Sequence, residues 1–550
     1  MSASILDEIV ERRRADIAKK GFDFGFDLPE KRTRGNPVPF VAEKGAILEI
    51  KRASPSKGDI APDLSASKTA LAYCEAGAAA ISVLTEENYF HGSLLDLIEA
   101  GKSVDEFAEK NPGAPKTALL RKDFLLCPEE IDVAYRCGAD AVLLIARILS
   151  ADDLSRMIKK CESLEMTAFV ELRLKEDLDK LASVVKSSDG SGVDKRFLVC
   201  GVNARDLSNF RIDLLTPCAM LSEIRGVLGK DARVVFESGI RTPLAAGFAG
   251  SLGFTGMLLG EAAAKNPKVA GNLVSSFKNG KECDNSRFWN NYARLLHNKK
   301  SLGNAGCGHS KMSLEKRPFV KICGLTVFED AVSAAMNGAD FLGFIFSAKS
   351  PRKASEEVVR KVRRVLDEQY VNPADQSLPP DCVDEKPMLV GVVTDLSSDE
   401  GKLALSLCRE KVLDVIQLHG KKAVSDFYTD SKNLEIAHYA VVNVSCEDDL
   451  ADLGELRKMG EPRVLVDAKS AAALGGTGSR VDSDLVNLVS SKIPLWLAGG
   501  ITPENVADLI GDCAPEMIDV ASGVESEPGV KDCDKLLKLD EEINRACMVS

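Results

Sequence analysis

Ionisable side chains recur in this chain directly behind short apolar runs, where a folded scaffold can gather them. In the first half these are Glu49 and Lys51, Lys122 and Asp123, Glu171, Asn203 and Arg205, and Glu237 with Ser238. Two lysines and two glutamates brought face to face shift each other's pKa and can supply a general acid and a general base. In the second half the corresponding places carry Cys323, Arg352, His419 and Asp467. A carboxyl group and a thiol on opposite sides of a small substrate form an acid–base pair. Cys323 serves as the base where its thiolate is accessible, and Lys321 bears on that. A thiolate nucleophile and a buried cysteine acting as a small hydrophobe are the competing uses. A lone histidine such as His419 more often packs or hydrogen-bonds than binds metal. With five histidines and no C-x-x-C or H-x-x-x-H, a metal site is disfavoured.

Glycines form a second pattern. "ESGI" (237–240) and "LLGEA" (258–262) place Gly239 and Gly260 behind the last two apolar runs of the first half. "LAGGIT" (497–502) and "ASGVES" (521–526) do the same in the second half with Gly499, Gly500 and, next to Ser522, Gly523. Such glycines let backbone N–H groups approach an anion, and a following helix start favours negative charge. The repetition in both halves points to a phosphorylated substrate for each.

The elements that must position these groups are strands. Eight runs in the first half, from "AILEIK" (46–51) to "FTGMLLG" (254–260), are too continuously apolar for strands with one wet face. Eight more run from "FVKIC" (319–323) to "EMIDVAS" (516–522). Helix-stop glycines, Gly77, Gly138 and Gly338, precede strands at once. Thr326 and Glu329 have the spacing of a capping box. Strand and helix alternating eight times in each half predict α/β architecture, two tandem (β/α)8 barrels. An open doubly wound sheet is the alternative, but it calls for a glycine-rich dinucleotide turn behind the first strand. The expected layout is a first barrel over 1–278, a polar linker over 279–316 with one short helix around 288–297, and a second barrel over 317–550. Loop-like insertions are expected at 187–195 and 372–387.

The bulk properties fit an enzyme of this kind. At 550 residues the chain exceeds what one core serves. A net charge of −12 argues against a general nucleic-acid binder, though it leaves room for local anion sites built from backbone dipoles. The fifteen cysteines are odd in number and scattered, which suits reduced thiols in a cytosol-like compartment. No run reaches the length of a membrane span. The first twenty residues read as an amphipathic helix with acids among its bases, unlike a transit or signal peptide. A cytoplasmic protein is expected, or a plastid one where a leader has been removed.

Several blocks are specific enough to name a family. The first half resembles indole-3-glycerol-phosphate synthase through "EIKRASPSKG" (49–58), "LTEENYFHGS" (84–93), "LLRKDFLL" (119–126), "GVNARDL" (201–207) and "FESGI" (236–240). The second half resembles phosphoribosylanthranilate isomerase through "VKICGLT" (320–326), "GFIFSAKSPR" (343–352), "VIQLHG" (415–420), "VLVDAK" (464–469), "GGTGSR" (475–480), "LAGGITPENV" (497–506) and "VASGVESEPGVKD" (520–532). Asn88 stands where a basic residue is common, and the 475–480 loop lacks an aromatic pair that often follows it.

The resemblance implies two consecutive steps of tryptophan biosynthesis, without metal or organic cofactor. In the second domain Asp467 would be the general acid, Cys323 the general base and Arg352 the contact for the anthranilate carboxylate. Gly499, Gly500, Ser522 and Gly523 would cradle phosphate. In the first domain Lys122 matches the general acid, and Glu171 and Lys51 would handle later proton transfers. Glu49 and Asn203 would orient the intermediate, with Arg205 on its anionic groups. Ser238, Gly239, Gly260 and the backbone of Glu261 would hold phosphate. The implied partners are small phosphorylated anthranilate–ribose compounds, with no nucleic acid or membrane, and other tryptophan-pathway enzymes are conceivable neighbours. Competing readings are a histidine-pathway isomerase, which would show paired aspartates at strands one and five, and a ribulose-phosphate epimerase, which needs a His/Asp metal set. A scaffold in which one barrel has lost activity is a further alternative.

Overall fold

The computed structural model describes residues 5–55, 57–186, 192–206, 211–304, 317–370, 386–467 and 483–548. Most of the insertions at 187–195 and 372–387, the glycine loop at 475–480 and the 305–316 part of the expected linker lie outside these residues. The chain divides into two compact units, Met1–Glu282 and Cys283–Ser550.

Each apolar run of the first half becomes one strand of a closed parallel barrel. The strands are β1 (Gly45–Ile50), β2 (Ala80–Leu84), β3 (Ala118–Lys122), β4 (Ala141–Ile145), β5 (Thr167–Leu172), β6 (Leu198–Asn203), β7 (Val234–Glu237) and β8 (Gly256–Leu259). The second unit closes the same way with β9 (Phe319–Cys323), β10 (Phe341–Phe346), β11 (Met388–Val393) and β12 (Val415–His419). It is completed by β13 (His438–Asn443), β14 (Val464–Asp467), β15 (Trp496–Ala498) and β16 (Met517–Val520). Closure pairs both edges of every strand, which is why nearly all positions are buried and the runs lack a polar face. Gly77, Gly138 and Gly338 do adopt left-handed backbone, with φ of 80°, 93° and 75°.

Side-chain alternation explains how the chemistry converges. In the first unit Ile47, Leu120, Phe169, Val199, Val235 and Leu258 fill one packed core cluster inside the barrel. Successive strand residues point to opposite faces, so two residues further along each strand the side chains again face inward. That step reaches Glu49, Lys122, Glu171, Gly201, Glu237 and Gly260, and Asn203 is one repeat beyond Gly201. The polar groups are therefore the top layer of the barrel's own filling. In the second unit the main cluster is the opposite set, Val320, Ile322, Leu342, Ile416, Val464, Val466 and Ile518, packed towards the helices. The alternate residues Lys321, Cys323, Gly343, Gln417, His419, Asp467 and Asp519 consequently face the barrel axis.

Two local expectations are corrected. Thr326 does not cap a helix: the helix Phe328–Met336 starts behind Val327 without a side-chain cap. The Thr326 hydroxyl instead donates to the Gly529 carbonyl at 2.6 Å, tying the loop after β9 to the one after β16. The segment read as a linker, 279–316, holds a 21-residue helix, Asp284–Asn304, within the second unit. Its Trp289 and Tyr292 are fully buried among Trp496, Phe319 and Phe341, at the end of the barrel where the strands begin. Glu516 accepts hydrogen bonds there from Tyr292 Oη at 2.8 Å and Trp496 Nε1 at 2.9 Å, and pairs with Arg463. Burying that aromatic surface is what holds an otherwise polar helix in place.

Candidate active sites

The first barrel's mouth holds a cavity of about 180 Å³. On its floor the Lys122 ammonium lies 3.0 Å from Glu49 Oε2 and 3.5 Å from Glu237 Oε2. Lys51 Nζ is 3.2 Å from the other Glu49 oxygen. Burial alone would raise the Glu49 carboxyl, but the Lys122 and Lys51 charges outweigh it and hold it at about 2. Glu237 goes the other way. Burial and the neighbouring Glu171 charge raise it to about 8, with Lys122 only partly compensating. Burial also raises Glu171, which accepts a hydrogen bond from Asn203. Burial opposes the Lys122 charge, yet the surrounding carboxylates Glu49, Glu237 and Glu171 raise its pKa. One floor thus carries an ionised carboxylate, a permanent ammonium and a carboxyl that exchanges its proton near neutral pH.

Glycine makes this floor fit. A Cβ on Gly201 would lie 2.2 Å from Glu237 Oε1, and one on Gly260 would lie 2.6 Å from Glu49 Oε1. At the rim, Ser238 and Gly239 both have positive φ, 71° and 88°, turning the chain after β7. Gly260 precedes the short helix Glu261–Lys265. The side chain of Glu261 is held at about 2, against burial, by Lys265 and Lys57. Its carboxylate lies 2.8 Å and 3.1 Å from their ammonium groups. Arg205 is half-buried at the same rim.

The apolar wall of the cavity comes from Leu143, Ile145, Leu258, Phe90 and, from the first helix, Ile5, Leu6 and Ile9. That helix, Ile5–Lys20, is pinned by Arg13, whose guanidinium reaches Glu130 at 2.5 Å and Asp123 at 3.2 Å. Sequence reasoning expected the helix but not its place in the wall, and it placed Glu237 among the strand-end groups without giving it a role in the site. The alternation of β7 was the available signal for Glu237.

The second mouth is built differently. Cys323 ends β9, 6% exposed, and Asp467 ends β14, half-buried, three strands round the barrel in one direction and five in the other. Burial pushes the Cys323 thiol up, and the Lys321 ammonium partly offsets this. Gly324 has a φ of 80°, and a Cβ there would meet Arg352 Cδ at 2.7 Å, so Arg352 lies across the loop after β9. Arg352 makes a forked pair with Glu525, Nε to Oε1 at 2.8 Å and Nη2 to Oε2 at 2.7 Å. Lys531 Nζ joins the same carboxylate at 3.0 Å and donates to the Cys323 carbonyl at 2.7 Å. His419 closes β12, half-buried.

Gly499 and Gly500 both take positive φ, 106° and 63°. A Cβ on Gly523 would sit 2.0 Å from the Ile501 carbonyl, so this glycine lets the loops after β15 and β16 touch. Ser522 opens a 3₁₀ turn in the loop after β16. Among the described residues there is no cluster of three or more His, Cys, Asp or Glu arranged for a metal. Every described cysteine is a free thiol, and no described helix is long and apolar enough to cross a membrane.

Comparison with known proteins assigns each half to a family. The family "Indole-3-glycerol phosphate synthase" matches residues 6–274, and "N-(5'phosphoribosyl)anthranilate (PRA) isomerase" matches 381–542. An indole-3-glycerol phosphate synthase of Rippkaea orientalis is 37% identical over 44% of this chain and 75% of its own length. The chain belongs to the indole-3-glycerol phosphate synthase family, fused to a phosphoribosylanthranilate isomerase domain. As a fusion it aligns almost end to end with a tryptophan biosynthesis protein of Phytophthora nicotianae, 29% identical over 98% of this chain and 99% of the other. A multifunctional tryptophan biosynthesis protein of Schizosaccharomyces pombe is also 29% identical over 97% of this chain, which spans 65% of that protein's length. The isomerase match starts at residue 381, although the barrel itself begins at Phe319, so Cys323 and Arg352 lie in strands and loops ahead of the matched part.

Proposed function

We propose that the synthase–isomerase fusion catalyses two consecutive reactions on phosphorylated anthranilate–ribose compounds, the second barrel acting first. In that barrel Asp467 protonates the ribose ring oxygen of phosphoribosylanthranilate, and the ring opens to an iminium. Cys323 removes the proton from C2′, and the resulting enol tautomerises to the ketone of carboxyphenylamino-deoxyribulose phosphate. Arg352, with Nε and Nη2 on Glu525, offers its remaining Nη1 edge to the substrate carboxylate. The backbone at Gly499, Gly500, Ser522 and Gly523 receives the phosphate.

In the first barrel the aromatic carbon bearing the carboxylate attacks the C2′ ketone while Lys122 donates a proton to its oxygen. Carbon dioxide leaves, and loss of water completes the indole, with Glu171 and Lys51 moving the later protons. Glu49 holds both ammonium groups in place, Asn203 orients Glu171, and Arg205 faces the anionic groups. Ser238, Gly239, Gly260 and the backbone of Glu261 take the phosphate, and the apolar wall takes the aromatic ring. The observation that carries the reading is the Lys122 ammonium held among Glu49, Glu237 and Glu171 beneath that wall.

The test is to incubate the chain with freshly prepared phosphoribosylanthranilate and follow product mass. Indole-3-glycerol phosphate, lighter by carbon dioxide and water, is the expected product. Accumulation of a rearranged compound of unchanged mass would exclude activity in the first barrel, and no turnover would exclude the isomerase assignment, leaving the synthase to be assayed on carboxyphenylamino-deoxyribulose phosphate.

A further inference from the structure

The axis of the second barrel contains a polar layer that the reaction as written does not use. Lys321 is fully buried, and its ammonium donates to Gln417 Oε1 and Asp519 Oδ2, both at 2.6 Å. Tyr439 donates to the same Gln417 oxygen at 2.8 Å, leaving that amide oxygen engaged from two sides. A lysine here is expensive to desolvate, and apolar residues could fill a barrel axis more stably. Its position suggests why it is present. Lys321 and Cys323 are two residues apart on β9, so both project to the axis, one layer above the other. Gly343, on the adjoining β10, leaves the space between them open. A Cβ there would meet Cys323 Sγ at 2.9 Å and Lys321 Cε at 3.1 Å.

Charged groups crowd the sulfur. Lys321, Lys531 and Arg352 are cations, and the anions paired with them are Asp519 and Glu525. Tyr439, also facing this layer, is held neutral by burial. Among these five groups cations exceed anions by one, and the Asp467 carboxyl and the His419 imidazole also face the axis, from β14 and β12. Lys321 is the cation directly beneath the buried sulfur on the same strand.

We propose that Lys321, held by Asp519 and Gln417, is the positioning residue that stabilises the Cys323 thiolate and so makes this cysteine the base. The proton taken from substrate C2′ converts the thiolate to the thiol. Lys321 keeps its own proton throughout and touches no substrate atom. The proposal rests on the isomerase reading for its purpose, but the thiolate itself can be measured without substrate.

The experiment is alkylation of the full chain by iodoacetamide across a pH series, with Cys323 quantified by peptide mass spectrometry. Removing Lys321 alone strands the buried Asp519 carboxylate, so the variant pair is Lys321→Met and the charge-balanced Lys321→Met/Asp519→Asn. The double variant is expected to alkylate Cys323 about tenfold more slowly near neutral pH, its midpoint moving up by about one unit. Turnover of phosphoribosylanthranilate should fall in kcat with KM little changed. The synthase activity of the same chain, assayed on carboxyphenylamino-deoxyribulose phosphate, reports that it is folded. An unchanged alkylation midpoint in the folded double variant would overturn the proposal and leave Lys321 a packing element. Wild-type chain that shows the lysine-dependent midpoint but no isomerase turnover would uphold the thiolate pair and sink the isomerase reading.

Discussion

The two barrel mouths gather their charges differently. In the first, three buried carboxyl groups, Glu49, Glu171 and Glu237, surround one half-buried ammonium, Lys122, with Lys51 at their edge. Acid is in excess there, so a proton must be stored on a carboxyl, and Glu237 is the group raised to about 8. In the second, Lys321 pairs with Asp519, and Arg352 and Lys531 share Glu525, so ammonium and guanidinium groups surround Cys323, whose thiol burial pushes up and Lys321 partly lowers. One fold therefore makes a carboxyl-rich floor entirely from strand ends and, in the other barrel, a thiol seated on a strand-end lysine and flanked by charges from the loops after β10 and β16.

The sharpest way to break this comparison is to separate the activities. Lys122→Ala should lower indole-3-glycerol phosphate formation by about 10²–10⁴-fold and leave isomerisation intact. Cys323→Ala should do the reverse, each measured on its own substrate. Loss of both activities in either folded variant would mean that the two floors are not independent.

Next in size is the stopper beneath the second barrel. Trp289→Ala removes a fully buried ring packed 5.8 Å from Trp496, and should cost about 3–5 kcal/mol. Chemical denaturation should show this in isomerase activity and not in synthase activity. If the synthase transition moves equally, the helix does not belong energetically to the second unit.

A smaller effect concerns pH. Glu237 is raised in the folded state, so its contribution to stability is fully present below about 4.5 and is lost as the pH rises through about 8. Glu49 is depressed, so its contribution is present above about 4.5 and is lost as the pH falls through about 2. Glu237→Gln, fixed in the neutral form, should flatten the decline in urea midpoint over the window from about 4.5 to 8. A decline as steep as in the wild type would remove the stored proton from Glu237. The smallest effect expected is Thr326→Val, which loses the 2.6 Å hydrogen bond to Gly529 and should destabilise the second unit by about 1 kcal/mol in thermal denaturation.

Both sets of eight strands were legible because closed parallel barrels bury their strands on both faces, leaving unbroken apolar runs. Most strand-end groups were legible for the same reason, since a charge that interrupts such a run is conspicuous. Glu237 was visible as a strand end, but its role was not. What raises it is burial together with Glu171, two strands round the barrel, and no sequence window contains both. Helix Asp284–Asn304 was read as mostly linker because its asparagines and lysines dominate the composition. Its apolar residues, Phe288, Trp289, Tyr292, Ala293 and Leu296, nevertheless recur at helical spacing. The capping box failed because a sequence match cannot tell whether the threonine hydroxyl has a better acceptor elsewhere, and Gly529 supplies one.

The aromatic stopper also bears on the order of events at synthesis. Tyr292 leaves the ribosome well ahead of its acceptor Glu516, which lies 224 residues later. At ordinary elongation rates that interval lasts on the order of tens of seconds. The first barrel can complete itself during this wait; Phe319 and Phe341 reach Tyr292 early, whereas Trp496 and Glu516 complete the stopper's burial only when the second barrel's last strands appear.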